Sequence, residues 1–560
     1  MIQLRFKNKL NRDYAIFSGF LGMAFIFRLF LMRYHFAIGW DEPHYLQLAV
    51  LFSKGQFLQA LHPYWSPLYS VFVAAVSFII PDFELAGRIV SLMCGILIFI
   101  PVFFFTKKLF GKRSGYWAIG LLTFYSPLAF STTTALAEPT FIFLSIIAIY
   151  FGWKAIENKS LKYSIFTGIF FGFSYLTKPE GIGYFFIFII FSGIYAIIDF
   201  IQSQRRRLFI VILSGVSFVF ISAPYILYLH NETGRWTISS KVYANQQMEA
   251  QSFNNDEINF ISLSDDNQVH PFDAIYHEGN FLKLVKDNYQ ETSSIHVSLV
   301  IKKYFTNFYR LTKYAIPQLF GLVMFVLVTV GICLYPQDLK KNGIYLYLLS
   351  FVVIFWFVLI PLFHINERYL LPGLVICFGW IGYGADQLTI RIKQSLDSLI
   401  QSNLNRFSRI RTEKISMFAV MVFVCLLCLI PELGKILSRD KYSVLFWDDA
   451  VELKKAGLWL KDHVLHEPIL MSLNKTVDYY AGCSNVRKST TFSNNSFERV
   501  LAYAYYRKVE YMVVAERYLE WFPNLVFLFD GTKIPSTLEL IYDDQEKEGL
   551  EVRIFKLNPK

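Results

Sequence analysis

Charge is scarce in this chain: only 17% of its 560 residues are Asp, Glu, Lys or Arg, against about a quarter in an ordinary soluble domain. That shortage excludes a conventional water-facing surface along most of the sequence. Cysteine is also scarce. Of six cysteines, Cys94, Cys333, Cys377, Cys425 and Cys428 fall inside apolar runs and only Cys483 lies outside, which excludes a disulfide framework. The Cys425–Cys428 spacing resembles a CxxC pair, but within an apolar helix these are small apolar residues rather than zinc or redox ligands. His44 and His62 have no zinc-site spacing. No solenoid period, inverted repeat or low-complexity tract is present, and no small-residue cleavage site follows the first apolar segment, which therefore reads as an uncleaved helix.

What is abundant is apolar side chain: 54% of residues are hydrophobic and 18% aromatic. Apolar runs of about twenty residues recur, each long enough to cross a bilayer core of roughly 30 Å. They lie at 14–34, 84–105, 116–132, 139–153, 163–176, 181–199, 208–229, 316–335, 344–363, 369–388 and 415–430. A shorter run at 67–80, flanked by Tyr and Trp and ended by Pro81, reads as an interfacial helix.

The net charge of +11 is distributed as topology determinants are, not as a nucleic-acid footprint. With the N-terminus in the cytoplasm and the 67–80 run not spanning, every strongly basic short connection falls inside. These are Arg5, Lys7, Lys9 and Arg12; Lys107, Lys108, Lys112 and Arg113; Lys154, Lys159 and Lys162; Arg205, Arg206 and Arg207; Lys340 and Lys341; and the stretch Arg391 to Lys414. Counting 67–80 as a span would put the arginine triplet outside. The expected fold is thus mainly α, a polytopic transmembrane helix bundle of about eleven spans, in residues 1–433. It carries a first extracytoplasmic loop at 39–83 and a large loop at 230–313. Residues 434–560 alternate helix and strand patterns: helices at 450–464 and 497–508, strands at 468–472, 509–514, 538–542 and 550–557. They read as a small extracytoplasmic α/β domain.

This topology sends four ion-bearing turns to the outer face. The first loop opens Gly39-Trp40-Asp41-Glu42-Pro43-His44-Tyr45, two adjacent acids suited to a metal ion or a sugar hydroxyl; Asp41 is equally suited to capping the next helix. Glu138 precedes Pro139 in a tight turn, where an acid also favours a helix start. Thr177-Lys178-Pro179-Glu180-Gly181 and His364-Ile365-Asn366-Glu367-Arg368-Tyr369-Leu370-Leu371-Pro372 add two basic turns. Carboxylates suit an acceptor hydroxyl, and Lys and Arg suit a departing lipid phosphate. Trp40, Tyr64, Trp65 and Tyr69 suit either a sugar face or an interfacial aromatic belt. Arg28, deep in the first span, either pairs with an acid in the bundle or reaches the interface; Arg33 can snorkel.

On these residues the chain resembles the polytopic glycosyltransferases of the GT-C superfamily, and within it the family 39-like enzymes, which include protein O-mannosyltransferases and the aminoarabinose transferase of lipid A. The carriers are Asp41-Glu42, Ala137-Glu138-Pro139, Thr177-Lys178-Pro179-Glu180-Gly181 and Glu367-Arg368-Tyr369-Leu370-Leu371-Pro372, with the span pattern over 14–388. The resemblance implies an inverting transfer of a sugar from a polyprenyl phosphate to a lipid, glycan or protein acceptor at the outer face of the cell membrane. It implies Asp41 as the acceptor-side base with Glu42 in support and Glu138 as a second acid. Lys178 and Arg368 would bind the donor phosphate, and Glu180, His364 and Tyr369 the substrate. It leaves room for a divalent ion, Mg or Mn, held by Asp41 and Glu138, although many relatives carry Asp where Glu138 stands. The 434–560 region resembles no acceptor module. A flippase or transporter of a lipid-linked saccharide is the alternative, but it would place charges mid-span rather than at one face. A membrane scaffold would leave the ionic turns unexplained.

Overall fold

The computed structural model describes residues 2–201, 206–241, 297–334, 342–362, 365–401, 409–438, 449–483, 489–530, 534–544 and 550–559. His364, Arg205, Lys340, Lys341 and most of the large loop, 242–296, lie outside the described residues. The chain condenses into two units. One comprises Met1–Tyr34, Arg88–Ser222 and Ile295–Trp447; the other comprises His35–Gly87, Ala223–Ser294 and Asp448–Lys560.

The first unit is helical. Every apolar run expected to span is helical over most of its described length. Among the described residues, seven helices are long and apolar enough to cross a membrane: Asp13–Met32, Phe83–Phe110, Glu138–Asn158, Gly181–Ile201, Arg206–Thr233, Val300–Cys333 and Gly343–Leu362. The protein is therefore a multi-pass membrane protein. Its outward-facing side chains agree: Phe220 is 78% and Leu322 80% exposed, as residues facing acyl chains are. Small residues bring helices together. A Cβ on Gly384, in Leu371–Gln401, would collide with the Leu327 carbonyl oxygen of Ile316–Cys333, and one on Gly331 with the Trp380 carbonyl. Gly384→Ala should therefore push these two backbones apart at a cost of about 1–3 kcal/mol, read as a lower unfolding midpoint in detergent.

The expected third span is broken. Helix Lys112–Phe124 stops at Tyr125, which is extended, and resumes at Ser126–Ser131. Pro127 supplies no N–H, and its ring crowds the carbonyl four residues back. Backbone groups freed at depth must be satisfied by protein. Arg28 does this on one side, its Nη1 donating to the carbonyls of Thr123 (3.1 Å) and Ala24 (3.2 Å), and its Nη2 to that of Leu122 (3.5 Å). Glu432 does it on the other, one carboxylate oxygen accepting from the Ser126 N–H (2.8 Å) and hydroxyl (2.5 Å). Among the described residues Arg28 thus binds backbone carbonyls and pairs with no acid. It is fully buried, with its guanidinium over the Phe99 ring.

The second unit contains the expected α/β region. Its sheet has the order β1-β2-β4-β3, with β1 (Leu470–Ser472) parallel to β2 (Tyr511–Ala515) and the other pairs, β2 with β4 (Val552–Leu557) and β4 with β3 (Leu538–Asp544), antiparallel. Strand β2 is buried along its whole length, and its alternation serves two layers. Tyr511, Val513 and Ala515 pack with Leu453, Ala456 and Leu460 of helix Val451–His463; Met512 and Val514 pack with Val500, Tyr503 and Ala504 of helix Phe497–Tyr506. The polar stretch before residue 65 holds the helix Glu42–Ser53, with Pro43 in its first turn, and the one-turn helix Phe57–Ala60. The 67–80 run is helical at Leu68–Ser77.

Candidate active site

In the first unit, three of the ion-bearing turns meet. Glu138 starts helix Glu138–Asn158 and is 3% exposed. Lys178 caps the C-terminus of helix Leu161–Thr177 and is 5% exposed. Arg368 lies in a one-turn 3-10 helix, Glu367–Leu370, whose first turn is fixed by Asn366: its side chain accepts the Arg368 N–H at 3.0 Å. Lys178 Nζ donates to Glu138 Oε1 at 2.8 Å, and Arg368 Nη1 approaches the same oxygen at 3.4 Å. The other oxygen, Oε2, is buried with no hydrogen-bond partner among the described residues. Lys178 also lies over the Tyr369 ring, 5.3 Å from its centroid. Glu138, Lys178, Arg368 and Tyr369 are thus brought together, with Glu180 within electrostatic reach of Lys178.

Burial disfavours the Lys178 ammonium, but the Glu138 and Glu180 carboxylates prevail and hold its pKa above the ordinary lysine value. Burial pushes the nearby Glu367 carboxyl up. Glu138 thus gathers two cations on one oxygen, with Glu180 a second carboxylate acting on Lys178. Converging Lys and Arg groups are the donor types that suit the oxygens of a phosphate.

The first-loop acids belong to the second unit. Glu42 is 2% exposed and folds back on its own loop, accepting the Gly39 N–H at 3.0 Å. Asp41 occupies the N-cap position of Glu42–Ser53, yet its side chain makes no capping hydrogen bond. Asp41 is thus not a side-chain cap of this helix, though its charge acts on His44 within it. The aromatic residues are engaged by the fold: Trp65 is buried and stacked on His44 with centroids 4.6 Å apart, Tyr69 is buried, and Trp40 sits between Tyr518 (5.5 Å) and Trp521 (5.9 Å). Trp40 and Tyr64 are only half-buried, the Tyr64 ring with the Lys241 ammonium 4.9 Å from its centroid.

One residue beside this loop was not anticipated. Lys475, buried just after β1, donates to the Thr490 carbonyl at 3.2 Å and lies 3.7 Å from Asp478. Its only sequence signal is the polar Asn474-Lys475-Thr476 run following a strand. Burial drives the His44 imidazole down to about 3, with the Asp41 carboxylate opposing and the Lys475 ammonium reinforcing the shift. The unfolded imidazole, near 6.5, binds its proton first on acidification. His44 therefore favours folding fully above about 6.5 and loses that contribution as pH falls toward about 3. His44→Gln should flatten the acid-side loss of thermal stability in that window, measured as melting midpoint against pH in detergent.

The fold is similar to that of two proteins of known structure. The chain superposes on ArnT from Cupriavidus metallidurans with a TM-score of 0.55 at 12% identity, covering 97% of this chain and 99% of that one. The same protein bound to undecaprenyl phosphate gives 0.52 at 13% identity, with the same coverage. The oligosaccharyltransferase of Archaeoglobus fulgidus gives 0.55 at 13%, covering 90% of this chain and 70% of that one. Residues 62–228, under a third of the chain, match the family described as dolichyl-phosphate-mannose-protein mannosyltransferase, in line with the resemblance its motifs carry. The matched segment includes Glu138, Lys178 and Glu180 but not Asp41, Arg368 or Tyr369. No curated protein sequence matches the chain.

Proposed function

We propose that this protein is an inverting glycosyltransferase that takes a sugar from a polyprenyl phosphate and delivers it to an acceptor at the outer face of the cell membrane. The observation that carries the proposal is the buried Glu138–Lys178–Arg368 cluster, two cations brought to one carboxylate oxygen. In this reading the acceptor hydroxyl gives its proton to Asp41 as its oxygen bonds to the sugar's anomeric carbon. The bond from that carbon to the phosphate oxygen breaks on the opposite face, and the electron pair leaves on the phosphate. Lys178 and Arg368 neutralise the charge that develops there. Glu138 fixes both cations, and Glu180 and Tyr369 shape their surroundings. Because the donor is already activated, positioning and charge stabilisation suffice.

Two cations on one carboxylate leave Glu138 poorly suited to a divalent metal ion, so no step is assigned to one. The reading includes about eleven spans with the N-terminus cytoplasmic and the 434–560 domain extracytoplasmic; a reporter fused after Lys560 and read from the outside tests it.

A transporter reading draws on one observation, the helix broken at Tyr125. Its exposed backbone ends are, however, taken up by Arg28 and Glu432, so they offer no donors to a cargo. Incubating purified protein with a polyprenyl-phosphate sugar and a membrane-extract acceptor separates the two: a transferase passes the sugar to the acceptor and releases free polyprenyl phosphate, whereas a transporter returns the donor intact.

A further inference from the structure

The C-terminal domain makes an unusual set of contacts with one short piece of its own unit. Residues 36–40 precede the acid pair, and both backbone groups of Phe36 and of Ile38 are held by residues beyond 448. The Phe36 N–H donates to Asp449 (3.2 Å) and its carbonyl accepts from Lys454 (2.7 Å). Both backbone groups of Ile38 are bound from helix Thr476–Tyr480: its N–H donates to the Tyr480 hydroxyl (3.2 Å), and its carbonyl accepts from the Thr476 hydroxyl (3.1 Å). The Tyr480 hydroxyl in turn donates to Glu84 at 2.8 Å. Trp40 packs against the domain core through Tyr518 and Trp521, and beyond the acids Gln47 donates to the Cys483 carbonyl at 2.9 Å.

We propose that the C-terminal α/β domain is the positioning scaffold of the Asp41 loop, with Tyr480 and Thr476 as its principal positioning residues; this rests on Asp41 being the acceptor-side base. Asp41 sits between Trp40, wedged into the domain core, and Glu42, tied to the Gly39 N–H. A short polar loop would otherwise sample many conformations, and ordering each residue costs roughly 1–2 kcal/mol. Cross-links at Phe36, Ile38, Trp40 and Gln47 supply that order from a rigid sheet domain. A catalytic group held by a rigid supporting shell is the arrangement that sets rate, since a displacement of about 1 Å costs up to a hundredfold.

The test uses the full-length protein. Tyr480→Phe keeps the ring, which Lys454 covers at 4.7 Å, and removes only the hydroxyl; Thr476→Val is a second, independent variant. Each should slow single-turnover transfer by about ten- to a hundredfold with the donor KM unchanged, and should speed amide deuterium exchange across 36–47. Tyr506→Phe, an exposed position on helix Phe497–Tyr506, should change neither. In an Asp41→Glu background, where the carboxylate is already displaced, the slowing caused by Tyr480→Phe should largely vanish. Equal slowing in both backgrounds overturns the proposal. If Asp41→Asn is inactive while both variants keep full rate and normal exchange, the reading of Asp41 stands and the scaffold role is overturned. If Asp41→Asn keeps full rate, that reading itself fails and the scaffold role falls with it.

Discussion

Replacing Lys178 with Met is expected to lower sugar transfer by about 10²–10³-fold, the usual loss when one preorganised donor to a developing oxyanion is removed. Lys178 donates to Glu138 with one of its three N–H groups, and the account assigns the others to the leaving phosphate. The loss should fall mainly on the chemical step, because phosphate charge grows as the sugar departs. The same substitution leaves the buried Glu138 carboxylate with one cation fewer, a change that by itself destabilises folded proteins. The double variant Glu138→Gln with Lys178→Met separates the two effects. It removes both charges, so thermal stability should recover toward the parent value while transfer stays lost. A double variant that regained activity would make the pair a structural ion pair and remove Lys178 from the phosphate site.

Asp41→Asn is the second large expectation. If Asp41 takes the acceptor proton, its amide should lower turnover by about 10²–10⁴-fold, with donor binding and melting temperature near the parent values. Little stability should change, because the Asp41 side chain forms no capping bond for helix Glu42–Ser53. Glu42→Gln should behave differently: it is buried and tied to Gly39, so its cost should appear in stability as well as rate. Full activity in Asp41→Asn, at normal expression, would move the acceptor base elsewhere.

Much of this molecule is legible in its sequence because hydropathy and charge placement act over contiguous residues. Run length in lipid sets helix length, and the alternation in 509–514 sets a strand buried on two faces. The convergence of Glu138, Lys178 and Arg368 was legible for the same reason: each occupies a short turn between apolar runs, and basic connections set the side to which those turns go. What hydropathy does not register is where a helix breaks and what satisfies its ends. Arg28 is a lone charge in an apolar run and Glu432 stands just past the end of another, and nothing in either run shows that both bind the backbone at the break at Tyr125. The aromatic residues of the first loop were illegible for another reason. Trp40 meets Tyr518 and Trp521 nearly the whole chain away, and no local pattern encodes that contact. Lys475 and Tyr480 are hidden likewise, in a domain whose sequence shows its strands but not the loop it holds.

The most direct measurement of the central claim is single-turnover reaction of purified, reconstituted protein with a panel of radiolabelled polyprenyl-phosphate sugars and a membrane-extract acceptor. The account predicts stoichiometric release of polyprenyl phosphate with formation of a glycosidic bond of inverted anomeric configuration, abolished in Lys178→Met. Donor recovered intact with every sugar, or carried across the bilayer without cleavage of the sugar–phosphate bond, would contradict it.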